Sequence, residues 1–336
     1  MFAKKAGSTT TSTIDRKRVF IFVAIAYGLA IAPYVVVFAG GERFSSYRNV
    51  ASAQAGILRV VLMFAPTIAH IATRLLTGEG WSKTFLRPNF YQGRWRYYLA
   101  AWLLPPAATI AGGAIYYLLF PGQFDPSMTA YRQLGMSAIG SALKPWAFFI
   151  IQVGIALVRP FTEALLLSFG EEFGWRAYLL PKLMPLGPRK AVVLAGAIWA
   201  VWHWPSIMTG FNYGLSYCGA PVAGPLLFVL VMIFPSALYA WVTLRSGSVW
   251  PAAIAHGAGN ASNKLMWFFL SRAANPLIGP GVQGIIGSLG YAALAVLISF
   301  SPRALAQPAP APVGAALTEN PGAPGKAAGQ AELGTA

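Results

Sequence analysis

The feature that most restricts the fold of this chain is a series of apolar stretches, each long enough to cross a lipid bilayer as a helix. A helical crossing takes about 20 residues. Apolar residues make up 56% of the chain and charged residues only 10%, which excludes an ordinary water-soluble domain. The sequence predicts an all-α fold, a polytopic transmembrane helical bundle of about eight spans. The predicted spans are 20–39, 56–76, 97–120, 146–175, 191–210, 221–244, 249–270 and 281–300.

Basic residues are distributed unevenly over the segments that connect these stretches. The chain has 25 lysines and arginines against 9 acidic residues, a formal net charge of +16. In a soluble protein this excess would indicate nucleic-acid binding. Here most basic residues fall in alternate connecting segments, as in the cytoplasmic loops of membrane proteins. We therefore expect no nucleic-acid partner, a lipid bilayer around the protein, and both termini in the cytoplasm, in the plasma membrane of a bacterium.

Composition divides the chain into three regions. Residues 1–19 form a basic, cytoplasmic N-terminal segment, and residues 20–300 form the transmembrane domain. Residues 301–336 are rich in Ala, Pro and Gly, and they cannot bury enough apolar surface to fold, so we expect a disordered tail. The single cysteine, Cys218, excludes an internal disulfide framework and a Cys-rich metal site.

Ionisable side chains inside the predicted spans are candidate functional residues, because they are costly to place in lipid. The densest group lies in SFGEEFGWR, where Glu172 and Arg176 share one helix face and can pair. Glu171 points about 100° away and stays free to act as a general base. The structural alternative is a charge cluster that caps a helix at the membrane border.

All three histidines of the chain fall within predicted spans. His203 lies among tryptophans in AIWAVWHWP, and an interfacial aromatic belt is its structural alternative. His256 and Asn260 lie one helical turn apart on a common face. His70 has no neighbouring carboxylate, so we expect a hydrogen-bonded core histidine.

Two other features of these spans have structural interpretations. Gly257 and Gly259 flank the face of His256 and permit the close approach of another helix. Arg159 and Glu163 are also one turn apart and are expected to form a structural ion pair.

One carboxylate and two imidazoles can activate water, either as metal ligands in the His₂Glu manner or directly as general bases. Glu171, His203 and His256 are therefore the candidate ligands of a divalent metal such as zinc. Whether a metal is required stays open. His256 and Asn260 could instead donate hydrogen bonds to a developing oxyanion.

In their order along the chain and in their residue patterns, these motifs resemble those of the CPBP family of intramembrane proteases. That family includes CAAX prenyl endopeptidases and bacteriocin-processing enzymes, and it is also called the Abi family. The resemblance covers about residues 146–270. Its EExxxR motif matches Glu171, Glu172 and Arg176, and its FxxxH motif matches His203 with Trp199 in place of Phe. Its third motif, HxxxN or HxxxD, matches His256 and Asn260.

The resemblance implies an intramembrane endopeptidase that hydrolyses a peptide bond in a membrane-anchored substrate, such as a prenylated, CAAX-type peptide. It implies that Glu171 and His203 activate the water, and that Glu172 and Arg176 hold the site together. His256 and Asn260 would bind a metal or stabilise the oxyanion. Because Trp199 replaces one aromatic residue by another, we expect this exchange to matter little.

Two other functions compete with proteolysis. A non-catalytic membrane scaffold or immunity factor of the same fold would keep its effect without Glu171. A proton-coupled transporter would use the same carboxylate and histidines as a proton relay, but no inverted repeat is found in the sequence.

The predicted span boundaries create a difficulty for a shared site. They place Glu171 near the cytoplasmic end of its span, and His203 lies about 12 residues, or roughly 18 Å, into the next. A common site would then require the chain to return into the membrane after Arg176, or the later span to begin deeper than predicted. An irregular segment at 179–188 could provide this return.

Overall fold

The computed structural model describes residues 13–39, 53–129 and 143–306. Within these ranges the fold is all-helical, and β-structure is limited to one isolated antiparallel bridge between Phe124 and Leu270. The expected disorder of the tail concerns mainly residues 307–336, which lie outside the described ranges, as does most of the basic N-terminal segment.

The described ranges contain nine principal helices in chain order. Short 3₁₀ turns at Pro121–Gln123 and Leu265–Phe269 follow the third and eighth of them. The helices are α1 (Arg16–Ala39), α2 (Ala53–Thr77), α3 (Trp95–Leu119), α4 (Pro145–Leu186), α5 (Pro188–Trp202), α6 (Trp204–Met208), α7 (Ala223–Ser246), α8 (Trp250–Ser262) and α9 (Leu289–Phe300).

Five of these helices are long and apolar enough to cross a membrane: α1, α2, α3, α4 and α7. The predicted count of about eight spans is therefore not confirmed. Helices form at the other three predicted positions, but α5, α8 and α9 have only 15, 13 and 12 residues. Helix α5 ends before the Trp204–Pro205 step, and α8 gives way to 3₁₀ geometry after Ser262. The sequence stays apolar across these breaks, so composition alone predicted helices longer than those observed.

Helix α4 corrects the predicted boundary at residue 175. The helical run continues for 42 residues, from Pro145 to Leu186, and includes π-helical segments at Ala164–Ser168 and Trp175–Leu179. The prediction ended the span before a charged residue, Arg176, but that side chain is buried against Glu172, so its charge is compensated inside the bundle. The expected irregular segment at 179–188 is helical almost throughout.

The turn after α4 brings two of the motif residues to one level. Gly187 has φ +92°, a conformation that favours glycine, and Pro188 begins α5 directly after it. Glu171 and His203 are equally many residues from this turn, on two antiparallel helices that extend from it to the same side. They therefore lie at similar depth without any return of the chain into the membrane.

Glycines allow α4 to approach its neighbours closely. Gly170 and Gly174 form a small-xxx-small pair around the two glutamates, and a Cβ at these positions would lie 2.7 Å from Met63 O and 2.5 Å from Pro66 O of α2. On the other side, a Cβ on Gly257 of α8 would lie 3.0 Å from Pro160 O. The predicted close approach at Gly257 is confirmed, and α4 is held between α2 and α8.

The outer surface of the bundle suits a lipid environment. Large apolar side chains are exposed on the helix flanks, and an aqueous surface would not favour so many of them. Examples are Leu118, Ile150, Val158 and Leu166, whose exposed fractions are 80%, 67%, 69% and 67%. Together with the apolar helices, this surface is that of an integral membrane protein.

Many of the described basic side chains gather at one end of the bundle, termed the basic end. The start of α1, the end of α2 and the end of α4 meet there around Glu79. The start of α3 contacts the end of α7, which in turn contacts residues 301–306. The basic residues in these contacts are Arg18, Arg74, Lys182, Arg94, Arg245 and Arg303.

Candidate active site

Glu171 and His203 converge in the interior of the bundle. Oε2 of Glu171 lies 4.0 Å from Nε2 of His203, and the Glu171 side chain is almost fully buried. The same Oε2 accepts a hydrogen bond of 2.6 Å from the indole N–H of Trp199, which lies one turn before His203 on α5. The structure therefore brings together the carboxylate and the first imidazole that the motifs predicted.

The other ring nitrogen of His203 determines its protonation pattern. Nδ1 lies 2.9 Å from the carbonyl oxygen of Trp199. Because a carbonyl can only accept, Nδ1 must carry the proton, and the neutral ring then has a lone pair on Nε2. This lone pair faces Glu171, so two hydrogen-bond acceptors point into the same space.

Glu172 organises a second, fully buried group. Its Oε1 accepts hydrogen bonds from Nη1 of Arg176 at 3.1 Å and from Nδ1 of His256 at 2.8 Å. The i,i+4 pairing of Glu172 with Arg176 was predicted from their spacing, and it is confirmed. The contact with His256 joins α4 to α8, which no local pattern could indicate. Because Glu172 accepts from Nδ1–H, Nε2 of His256 is the ring nitrogen left for other partners.

Two aromatic rings enclose the charged groups. The guanidinium of Arg176 lies over the rings of Trp199 and Tyr239, 4.4 and 5.0 Å from their centroids. Tyr239 also stacks on His256 with a centroid distance of 5.7 Å and an interplanar angle of 16°. Sequence reasoning missed Tyr239, because it lies on α7 outside every motif. The tight packing removes water from the ion pairs and so strengthens them.

Asn260 belongs to a third group at the edge of the site. Its Nδ2 donates a hydrogen bond of 2.8 Å to Oε1 of Glu163, and Oε2 of Glu163 pairs with Nε of Arg159 at 2.9 Å. The predicted Arg159–Glu163 pair is confirmed. Glu163 was not predicted to contact a motif residue, but it fixes the orientation of the Asn260 amide.

His70 is a hydrogen-bonded core histidine, as expected. Its Nδ1 donates to the carbonyl oxygen of Phe173 at 2.9 Å, and its Nε2 accepts from Nε of Arg74 at 2.7 Å. Thr67, on the same helix, donates to the carbonyl oxygen of Gly170. These two bonds attach α2 to α4 on both sides of Glu171 and Glu172, so His70 supports the site without facing it.

The arrangement supplies two converging groups for a metal, Oε2 of Glu171 and Nε2 of His203. Among the described residues, no three His, Cys, Asp or Glu side chains lie close enough together to hold a metal ion. A catalytic zinc site uses three protein ligands. In His256, the third expected ligand, Nδ1 is bonded to Glu172 and Nε2 stays open, as in a histidine whose second ring nitrogen is held by a carboxylate. The metal stays a prediction.

The segment that carries the candidate active site matches a known protein family. Residues 145–262 match the family model described as type II CAAX prenyl endopeptidase Rce1-like. The matched range begins with α4 and ends with α8, so it contains every motif residue of the site. This part of the chain is similar to that family. The resemblance to the CPBP and CAAX proteases is thereby confirmed.

The Rce1-like family is a protease family whose members act on membrane-anchored, prenylated proteins. The Rce1-like match leaves the first three helices and the residues after 262 uncovered. No curated protein matches the chain.

Proposed function

We propose that this protein is an integral-membrane endopeptidase that hydrolyses a peptide bond in a membrane-anchored, prenylated substrate. The observation that carries the proposal is the convergence of Oε2 of Glu171 and Nε2 of His203 within the family-matched segment. Both atoms are acceptors, and one water molecule can bridge two acceptors 4.0 Å apart by donating a hydrogen bond to each.

A water held in this way is prepared for nucleophilic attack. Each of its two O–H bonds is polarised by an acceptor, so its lone pairs point toward the substrate carbonyl. As the new C–O bond forms, Glu171 takes one proton from the water. The same proton then passes to the amide nitrogen as the C–N bond breaks, and His203 takes the second proton as the product carboxylate forms.

The oxyanion of the tetrahedral intermediate needs donors on the opposite side of the carbonyl. The carboxylate of Glu172 stabilises positive charge on the His256 ring, whose Nε2–H can then donate to the oxyanion. Asn260 has a second amide hydrogen besides the one that Glu163 accepts, and it is the other candidate donor. Glu172 and Arg176 position His256 and do not touch substrate.

The same proposal includes an orientation in the membrane. Lysines and arginines collect on the cytoplasmic side of membrane proteins, so the basic end is assigned to the cytoplasm. The start of α1 and residues 301–306 both lie at that end, which is consistent with the predicted cytoplasmic location of both termini.

The test uses the full-length protein in liposomes with a panel of prenylated and unmodified membrane peptides, and cleavage is followed by mass spectrometry. We expect wild type to cleave at least one prenylated peptide, and Glu171→Gln and His203→Ala to abolish cleavage. Asp125→Asn is the matched control, because it removes a carboxylate from a loop at the far end of the bundle.

Two further outcomes of this experiment would favour a metal-dependent mechanism or a non-catalytic scaffold. Loss of activity with a chelator and its return with added zinc would assign the water activation to a metal instead. Absence of cleavage by folded wild type, or unchanged cleavage by both variants, would contradict the proposal and favour the scaffold.

A further inference from the structure

A cavity separate from the candidate active site opens at the basic end of the bundle. Its volume is about 400 Å³, within the range of small-ligand sites. It lies between α3, α7 and α9, and no motif residue lines it. Its walls are apolar over most of their length, with Leu104, Trp241, Leu294, Leu297 and Ile298.

The mouth of the cavity is cationic. Arg245 and Arg303 both line it, together with Tyr97. Arg245 donates from Nε to the Tyr97 hydroxyl at 3.3 Å and from Nη1 to the carbonyl oxygen of Arg303 at 3.4 Å. Arg96 also donates to the Tyr97 hydroxyl, at 3.2 Å. Two arginines therefore line one end of an otherwise apolar cavity, and a third, Arg96, contacts the Tyr97 hydroxyl there.

These positive charges lack an anionic partner within the described part of the chain. The ion pairs found there involve Arg18, Arg74, Arg159, Arg176 and Lys182, and none involves an arginine of the mouth. Clustered like charges repel unless a counterion is bound. A molecule that brings a negative group to the mouth and an apolar chain to the walls would complement both parts.

We propose that this cavity binds an anionic glycerophospholipid. The phosphate lies between Arg245 and Arg303, and an acyl chain runs along Trp241 and Leu297 toward the bilayer centre. The mouth is formed by the first turn of α3 and the last turn of α7, which is the depth expected for headgroups. Arginine suits a phosphate because its planar fork can donate two hydrogen bonds at once. Anionic lipids are also concentrated on the cytoplasmic side of membranes, to which the basic end is assigned.

The proposal is tested by native mass spectrometry of the full-length protein with phosphatidylglycerol and phosphatidylethanolamine of equal chain length. We expect wild type to retain one phosphatidylglycerol in preference to phosphatidylethanolamine. Arg245→Gln/Arg303→Gln should lower this preference about tenfold or more, since each basic residue near a membrane surface contributes to the attraction. Arg303→Glu alone should abolish it, and the Arg303 side chain is exposed.

The matched control is Lys83→Gln/Arg87→Gln, which removes two exposed charges from the α2–α3 loop. An equal loss of preference in this control would show that the net charge of the surface attracts the lipid, and would overturn the proposal. Equal retention by all variants would also overturn it. Displacement of phosphatidylglycerol by a prenylated peptide would reassign the cavity to the substrate. None of these measurements requires catalysis, so failure of the proposed protease function would leave this proposal standing.

Discussion

The indole N–H of Trp199 donates a hydrogen bond of 2.6 Å to Oε2 of Glu171, the oxygen that also faces His203. The phenylalanine usual at this position has no hydrogen to donate, so the exchange of one aromatic residue for the other is a chemical change. The expectation that it matters little did not take this N–H group into account. We infer that Trp199 is a positioning residue that holds the carboxylate of Glu171 in one orientation.

Trp199→Phe is therefore expected to lower kcat while KM changes little. A hydrogen bond to a charged group contributes about 1.5–3 kcal/mol, which corresponds to a decrease in kcat of about 10- to 100-fold. The matched control is Trp202→Phe, which removes an indole bond to the carbonyl oxygen of Ala26 at 3.1 Å, away from the carboxylate. Steady-state kinetics should show a loss of kcat only in the first variant. Equal losses in both would indicate a packing role for Trp199.

The buried group around Glu172 predicts a large stability effect. Glu172→Gln leaves the guanidinium of Arg176 buried without its anion, and breaking such a pair costs about 3–5 kcal/mol. The double variant Glu172→Gln/Arg176→Met removes both charges and should recover part of this loss. Arg159→Met tests a pair with the same spacing on the same helix, but Arg159 is 54% exposed and should contribute less. Unfolding in mild detergent measures all three, and equal destabilisation by Glu172→Gln and Arg159→Met would contradict the assignment.

The close packing of α4 on α2 predicts a steric effect at Gly174. The Cβ of Gly174→Ala would lie 2.5 Å from Pro66 O, which forces the two helices apart, and overpacking of this kind costs about 1–3 kcal/mol. Gly154→Ala on the same helix is the control, because its Cβ meets no atom within 4 Å. Thermal unfolding should separate the two variants clearly. A similar melting temperature for both would show that α4 and α2 are not in close contact.

The contact between Asn260 and Glu163 predicts an effect of charge on activity. Asn260→Asp replaces a donor by a carboxylate beside Glu163, so two negative charges would meet where a hydrogen bond of 2.8 Å exists now. We expect a loss of activity on the order of tenfold or more, since like charges in a poorly solvated place repel strongly. Adding Glu163→Gln should restore part of the activity, because the glutamine amide can donate a hydrogen bond to the introduced carboxylate. Full activity of Asn260→Asp alone would contradict this role of Glu163.

Glu79 at the basic end predicts a pH dependence of stability. Burial raises the pKa of this carboxyl, but hydrogen bonds from Lys182 and Tyr178 and the charges of Lys182 and Arg74 outweigh it, and the pKa is lowered from 4.5. A lowered pKa means that these contacts stabilise the fold above the unfolded-state pKa, and that the contribution is lost as pH falls through the folded-state pKa.

The measurement for Glu79 is the free energy of unfolding of wild type and Glu79→Gln as a function of pH. The difference between them should be constant near neutral pH and should shrink below about pH 4.5. A difference that stays constant into strong acid would show that the ion pairs of Glu79 do not stabilise the fold.

Sequence patterns could predict the helical class and several local pairs. The i,i+4 spacings gave the contacts of Glu172 with Arg176 and of Arg159 with Glu163, because such pairs depend only on helix geometry. Contacts between helices, such as Glu172 with His256, depend on how α4 and α8 pack, and no periodicity encodes that. GEEFG did contain a signal that was passed over, since glycines four residues apart favour close helix packing.

The boundary of α4 shows why apolar composition alone gave the wrong span. Hydropathy treats Arg176 as a residue that must lie outside the membrane. In the folded chain its charge is compensated by Glu172 and its guanidinium is covered by Trp199 and Tyr239. Because hydropathy does not register this charge compensation, the predicted boundary was wrong. The same compensation allows the charged motif to lie in the interior of the bundle.

The most direct test of the central claim is a single-turnover reaction of full-length protein with a saturating prenylated peptide, comparing wild type with Glu171→Gln. Glutamine keeps the size of the side chain and its contact with Trp199, but it cannot take a proton from water. The account predicts that the variant binds the peptide as wild type does and that cleavage of the bound peptide falls by at least about 1,000-fold. Cleavage of the bound peptide at a rate close to that of wild type would contradict the account.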